Sequence, residues 1–153
     1  MVTDTPETSE ARRIRQTAEL MGGYDVLGRR IANGFDVHDL LVEGWPAQAL
    51  RVMLEKLGVL GADAGLADAT GLSNLLAQSF TAVLTVEQGV NAWRLGAVLT
   101  QAADVFGSLC DAEIWLTRRQ YLLQDRRPID LLVSEPGSQL VVALLSAIEY
   151  DCD

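Results

Sequence analysis

The stretch from Thr85 to Phe106 constrains the fold of this chain most. It opens on Thr85-Val86-Glu87-Gln88, a capping box in which threonine and glutamine answer each other's unpaired backbone N–H groups. It closes on Gly107, the residue type that ends helices in a left-handed turn. Between these marks Val86, Val90, Trp93 and Ala97 line one side. Leu95, Val98, Leu99, Ala102, Val105 and Phe106 form a second apolar band. A helix apolar over that much of its circumference has to be surrounded. The chain is therefore expected to pack shorter helices around one central helix.

Composition agrees. About half of the 153 residues are hydrophobic but only 6% are aromatic, a balance that favours helices over sheets. The length suits one domain, or one domain and a small appendage. No strand alternation and no internal repeat stand out. Thr8 or Ser9 caps a first helix through about Met21, which Gly22-Gly23 ends. Short helices and turns follow around Gly28, Asn33 and Gly34, with Asp36 opening a brief helix through Val42. Pro46 starts a helix that puts Leu50, Met53, Leu54 and Leu57 on one face and stops at Gly58. Residues 58–71 hold at most one weak helical turn. Leu72, Leu75, Leu76, Phe80 and Val83 repeat at helical spacing. Beyond Gly107, Ser108 with Asp111 caps a short helix carrying Ile114, Trp115 and Leu116. Pro128 starts another through about Val133. Ser134 caps the last helix, which Pro136 enters and which runs to about Tyr150. Its apolar face reads as Leu140, Val141, Leu144, Leu145 and Ile148.

Several functions lose support at this level. A single histidine, His38, and no Ser-His-Asp arrangement argue against a hydrolase triad. Gly61, Gly65 and Gly71 do not make a phosphate loop. Cys110 reads as a small buried hydrophobe and Cys152 as incidental; two cysteines and one histidine make no metal set. A non-enzymatic protein without a cofactor or metal is expected. The uncharged run Gly71–Val86 holds Ser73, Asn74, Gln78, Ser79, Thr81 and Thr85, too polar to cross a bilayer. The first ten residues are polar and acidic, unlike a signal peptide, so a cytoplasmic location is expected.

The formal net charge is −9, a poor balance for holding phosphates. The positive side chains are nearly all arginine, grouped as Arg12, Arg13, Arg15; Arg29, Arg30; Arg118, Arg119; and Arg126, Arg127. Each group reads first as a solvated face. Arginine also suits protein interfaces, because its planar fork matches carboxylates.

One ordered set of motifs goes further. Arg94-Leu95, Ala102-Ala103-Asp104-Val105-Phe106-Gly107, Ala112, Trp115-Leu116, Arg127-Pro128-Ile129-Asp130-Leu131-Leu132, Glu135-Pro136-Gly137, Val141, Leu144-Leu145 and Ile148-Glu149-Tyr150 succeed one another. This succession resembles the toxin-binding domain of the Xre/MbcA/ParS antitoxin family. Upstream, Gly44-Trp45-Pro46-Ala47, Leu50 and Leu57-Gly58-Val59 look like the opening of that family's helix-turn-helix-like region. The resemblance implies an all-α fold, with a degenerate helix-turn-helix-like N-terminal half and a compact C-terminal toxin-binding module. The chain divides on this reading into a disordered tail 1–8, a helical extension 9–43, an Xre-like region 44–93 and a toxin-binding domain 94–153.

The resemblance further implies the antitoxin of a type II pair, encoded beside a RES-domain toxin that consumes NAD or transfers ADP-ribose from it. The antitoxin's C-terminal helix and tail would cover the toxin's NAD cleft. Carried onto this chain, the blocking surface is Glu149, Tyr150, Asp151, Cys152 and Asp153, with Arg126, Arg127 and Asp130 as further toxin contacts. An acidic tail is a reasonable occupant of a cleft built for pyrophosphate. A homodimer within a toxin–antitoxin hetero-oligomer is expected from the apolar bands on residues 85–106 and 138–148. Two alternatives stand beside this: a DNA-binding transcriptional regulator, and an orphan adaptor of the same fold. Where the family carries an arginine-rich stretch, this chain has Ser73-Asn74-Leu75-Leu76-Ala77-Gln78-Ser79-Phe80. From Pro46 to Gly96, Arg51, Lys56 and Arg94 stand against Glu55, Asp63, Asp68 and Glu87, a net of −1. A recognition helix needs phosphate anchors. The candidates for contacting DNA are Arg12, Arg13, Arg15, Arg51 and Lys56.

Overall fold

The computed structural model describes residues 8–57 and 83–151. Among them are eight α-helices and no strand: α1 (Ser9–Leu20), α2 (Tyr24–Leu27), α3 (Gly34–Glu43), α4 (Ala47–Glu55), α5 (Val86–Phe106), α6 (Leu109–Thr117), α7 (Pro128–Leu131) and α8 (Glu135–Asp151). A 3-10 turn, Tyr121–Leu123, lies between α6 and α7. The expected all-α fold is what forms.

Helix α5 is the axis of the molecule. Both halves of its capping box are made: Gln88 N–H donates to Thr85 Oγ1 at 3.2 Å, and Thr85 N–H donates to Gln88 Oε1 at 2.9 Å. Gly107 ends it in the left-handed region, φ 98°. Helices α1, α3, α6 and α8 all pack on it. Leu95, Leu99 and Ala102 are fully buried, with Val98 nearly so. The core of the second apolar band of α5 is thus covered by the chain's own helices, while of the first band Val90, Trp93 and Ala97 are only partly buried and Val86 is exposed.

Local side chains fix the other boundaries. Thr8 caps α1 by accepting from Ala11 N–H at 3.0 Å. Ser108 caps α6 through Asp111 N–H, 3.1 Å. Ser134 receives Gly137 N–H at 3.1 Å as α8 begins. Pro46 stands at the cap of α4, whose Leu50 and Met53 are buried, with Leu57 beyond it. Trp45 is buried beside them, edge-on to Trp93 at 6.5 Å. Leu84 N–H donates to Trp45 O at 2.9 Å, and Pro46 and Val83 form an antiparallel bridge.

Some expectations need correction. The cap of α3 is Asn33, which accepts from Asp36 N–H at 3.0 Å; Asp36 instead accepts from Ala32 N–H at 2.9 Å. Helix α4 ends at Glu55, before the expected stop at Gly58. Helix α7 is a single turn ending at Leu131. Cys110 is exposed rather than buried, because α6 turns Ala112, Glu113 and Leu116 inward. Leu140 is 56% exposed, not part of the inner face of α8. Helix α5 runs without a break through residues 93 and 94, where the expected regions 44–93 and 94–153 meet, which leaves that division itself untouched. The tail before Thr8, and residues 58–82 of the helix-turn-helix-like region, including Ser73–Phe80, lie outside the described residues. Among the described residues no helix is long and apolar enough to cross a membrane.

Candidate protein-binding surface

Helix α8 is placed tightly at its start. Gly137 sits so close to α7 that a Cβ there would lie 2.1 Å from Leu131 O, so only glycine lets the two helices meet. Val141 and Leu145 then point inward and are fully buried, while Leu144 and Ile148 are half-buried. Two polar contacts hold the rest of the helix. Gln101 on α5 donates to Ser146 Oγ at 3.2 Å. Arg13 on α1 donates from Nη2 to both carboxylate oxygens of Glu149, at 2.7 and 2.8 Å.

Among the described residues, the opposite face of α8 is left uncovered. Leu140, Ala143, Ala147 and Tyr150 are all exposed, Tyr150 by 85%. Their spacing of three, four and three residues puts them on one side of a helix. They form an apolar stripe about 15 Å long at 1.5 Å per residue. A scattered exposed leucine needs no explanation, but a straight stripe that ends in an exposed tyrosine is the pattern of a helix laid on a partner.

The residues expected to contact a toxin do not form one cluster. Arg127 pairs with Asp130 through two hydrogen bonds, 2.9 and 3.0 Å, on the first turn of α7. Arg126 is exposed beside it. Tyr150 lies at the far end of α8, about 20 Å along the helix from Gly137 by the same rise per residue. Glu149 turns inward to Arg13, away from the exposed stripe. Asp151 is the last residue of α8, and Cys152 and Asp153 lie outside the described residues.

The candidates for DNA contact are engaged within the chain. Arg12 and Arg13 face Asp104 at 3.7 and 3.8 Å, and Arg15 pairs with Glu19 at 3.2 Å. Lys56 Nζ donates to Glu19 O at 2.8 Å. Arg51 is half-buried and also partnered. These cations tie α1 to α5, α8 and the end of α4.

Phe106 and Trp115 pack on each other at 5.4 Å and are partly buried against the core. The sequence reading missed Tyr121 and Leu122, which are 88% and 74% exposed on the 3-10 turn. The signal for them was present: an apolar triplet framed by arginine pairs.

Fold and surface together define an all-helical protein-binding module. Its kind is given by comparison: residues 101–150 match the family described as Antitoxin Xre/MbcA/ParS C-terminal toxin-binding domain. The match runs from the last turns of α5 to Tyr150, and a domain of that description binds a toxin. No curated protein matches the chain.

Proposed function

We propose that this chain is the antitoxin of a type II toxin–antitoxin pair, and that it neutralises a RES-domain toxin that consumes NAD or transfers ADP-ribose from it. The exposed stripe Leu140–Tyr150 on the toxin-binding domain carries this reading. It would lie along the toxin with Tyr150 as the aromatic anchor at the mouth of the NAD cleft, since buried tyrosines dominate such interfaces. The protein acts by stoichiometric cover, not by catalysis, and works in the cytoplasm where NAD is consumed. Leu140 and Tyr150 contribute little to the chain's own core, so their exposure finds its use in a complex.

The test is co-expression with the product of the adjacent gene, reading growth and cellular NAD. The intact chain should restore both. Leu140→Asp and Tyr150→Ala should fold normally and fail to protect. If the neighbour neither arrests growth nor lowers NAD, the RES-toxin reading falls. If both variants protect fully, the α8 stripe is not the covering surface.

A further inference from the structure

Residues 118–127 read Arg-Arg-Gln-Tyr-Leu-Leu-Gln-Asp-Arg-Arg, four arginines against one aspartate in a chain of net charge −9. The structure folds this decapeptide into a closed loop. Gln120 and Arg126 form an antiparallel bridge at its neck, with Gln120 N–H donating to Arg126 O at 3.1 Å. Asp125 N–H donates back to Gln120 O at 3.0 Å. The Gln120 side chain donates to Trp115 O and Arg118 O, at 3.1 and 3.2 Å. Leu123 is buried and fixes the loop to the body, and the turn packs against α8.

What this scaffold presents is out of keeping with a solvated loop. Tyr121 and Leu122 stand almost wholly in solvent at its tip. Arg118, Arg119 and Arg126 are exposed around them and make no ion pair among the described residues. Gln124 and Asp125 are both in the left-handed region, φ 57° and 62°. Two successive non-glycine residues there are strained, and such strain gathers where a loop has to hold a binding shape.

We propose that this loop is a second anchor for the toxin that α8 engages, seating Tyr121 and Leu122 in an apolar pocket rimmed by carboxylates. The inference rests on the toxin-binding reading above. Tyrosine and arginine are the residue types that dominate binding energy at protein interfaces. The loop is tied in its presenting shape before the partner arrives, so little ordering is left for binding. The arginines supply the complementary charge that sets partner orientation and association rate. Continuity supports one partner for both surfaces: the turn rests on α8, and both lie within the matched segment. An exposed tyrosine–leucine pair fits a protein pocket better than a phosphate backbone, which the arginines alone would satisfy.

The experiment measures association of the full chain with the purified adjacent-gene product at two salt concentrations. The double variant Tyr121→Ser/Leu122→Ser should dissociate about tenfold faster or more, as expected of central anchors. The triple variant Arg118→Glu/Arg119→Glu/Arg126→Glu should associate about tenfold slower at low salt and lose most of its salt dependence. Thermal unfolding of both should match the intact chain, because these side chains are exposed. If both variants bind within about twofold of the intact chain, a change below the hot-spot range, the loop is not an anchor. If the intact chain itself fails to bind, the toxin reading falls and this inference with it. If the triple variant loses low-salt duplex DNA binding while toxin binding is unchanged, the loop serves nucleic acid and the proposal is overturned.

Discussion

Arg13 and Glu149 join the two ends of the described chain: Nη2 of Arg13 lies 2.7 and 2.8 Å from the two carboxylate oxygens of Glu149, 136 residues away in sequence. The contact ties α1 to the last turns of α8. Both side chains are partly exposed, 27% and 42%, so the pair is worth about 1 kcal/mol or less after solvent screening. It acts together with the burial of Val141 and Leu145, which sets the rotation of α8 about its axis.

A charge swap tests that role. Arg13→Glu alone should lower stability to urea by about 1–2 kcal/mol, since it sets like charges against Glu149 and Asp104. Adding Glu149→Arg should recover part of the loss. Equal stability of single and double variants would show that the contact is not formed in solution.

Gly137→Ala should be among the most damaging single-methyl additions in the chain. The new Cβ meets backbone at Leu131, which cannot rotate away, so about 1–3 kcal/mol or more is lost to overpacking. Gly34→Ala is the control, because nothing lies within 4 Å of its Cβ and its backbone is ordinary helix. Thermal unfolding should separate the two clearly.

Leu140 and Leu145 should divide stability from binding. Leu145 is fully buried, and Leu145→Ala should cost about 2–5 kcal/mol. Leu140→Ala should leave unfolding within about 0.5 kcal/mol while weakening toxin capture. A stability loss of equal size at both positions would mean that Leu140 faces the core.

Cys110 gives an inexpensive check on α6. In a Cys152→Ser background its thiol should react with a water-soluble maleimide at about the rate of a free thiol, without unfolding. Protection until denaturant is added would place α6 in a different rotation.

Much of this was readable because the relevant chemistry is local. Thr85, Gln88 and Gly107 mark the ends of α5 by hydrogen bonds and backbone preference, with no need for distant partners. Ser108 and Ser134 do the same for α6 and α8. What was misread depends on distant contacts. Leu140 and Val141 are adjacent in sequence but about 100° apart around the helix, and only the position of α5 decides which turns inward. Arg12 and Arg13 were named as candidates for contacting DNA, and nothing near them in sequence shows that Asp104 and Glu149 will meet them. Tyr121 and Leu122 fall on a 3-10 turn too short to show periodicity, so their exposure was not visible before the fold. The stripe Leu140–Tyr150 was half visible: Leu140 was singled out as apolar and Tyr150 as a contact, but Ala143 and Ala147 between them were not.

Helix α5 has a further consequence for how a protein of this kind can change its partner. The matched segment begins at Gln101, inside α5, and the residues just upstream, Leu95 and Leu99, belong to the same buried core as Val141 and Leu145. Gly96 brings α5 close to Met21 at the end of α1. A recombination joint at residue 101 would cut a helix in mid-course and separate the recognition half from its own core. The N-terminal helices and the recognition surface should therefore be inherited together. Divergence toward a new toxin is expected through point replacements on exposed positions such as Leu140 and Tyr150, not through exchange of the C-terminal half.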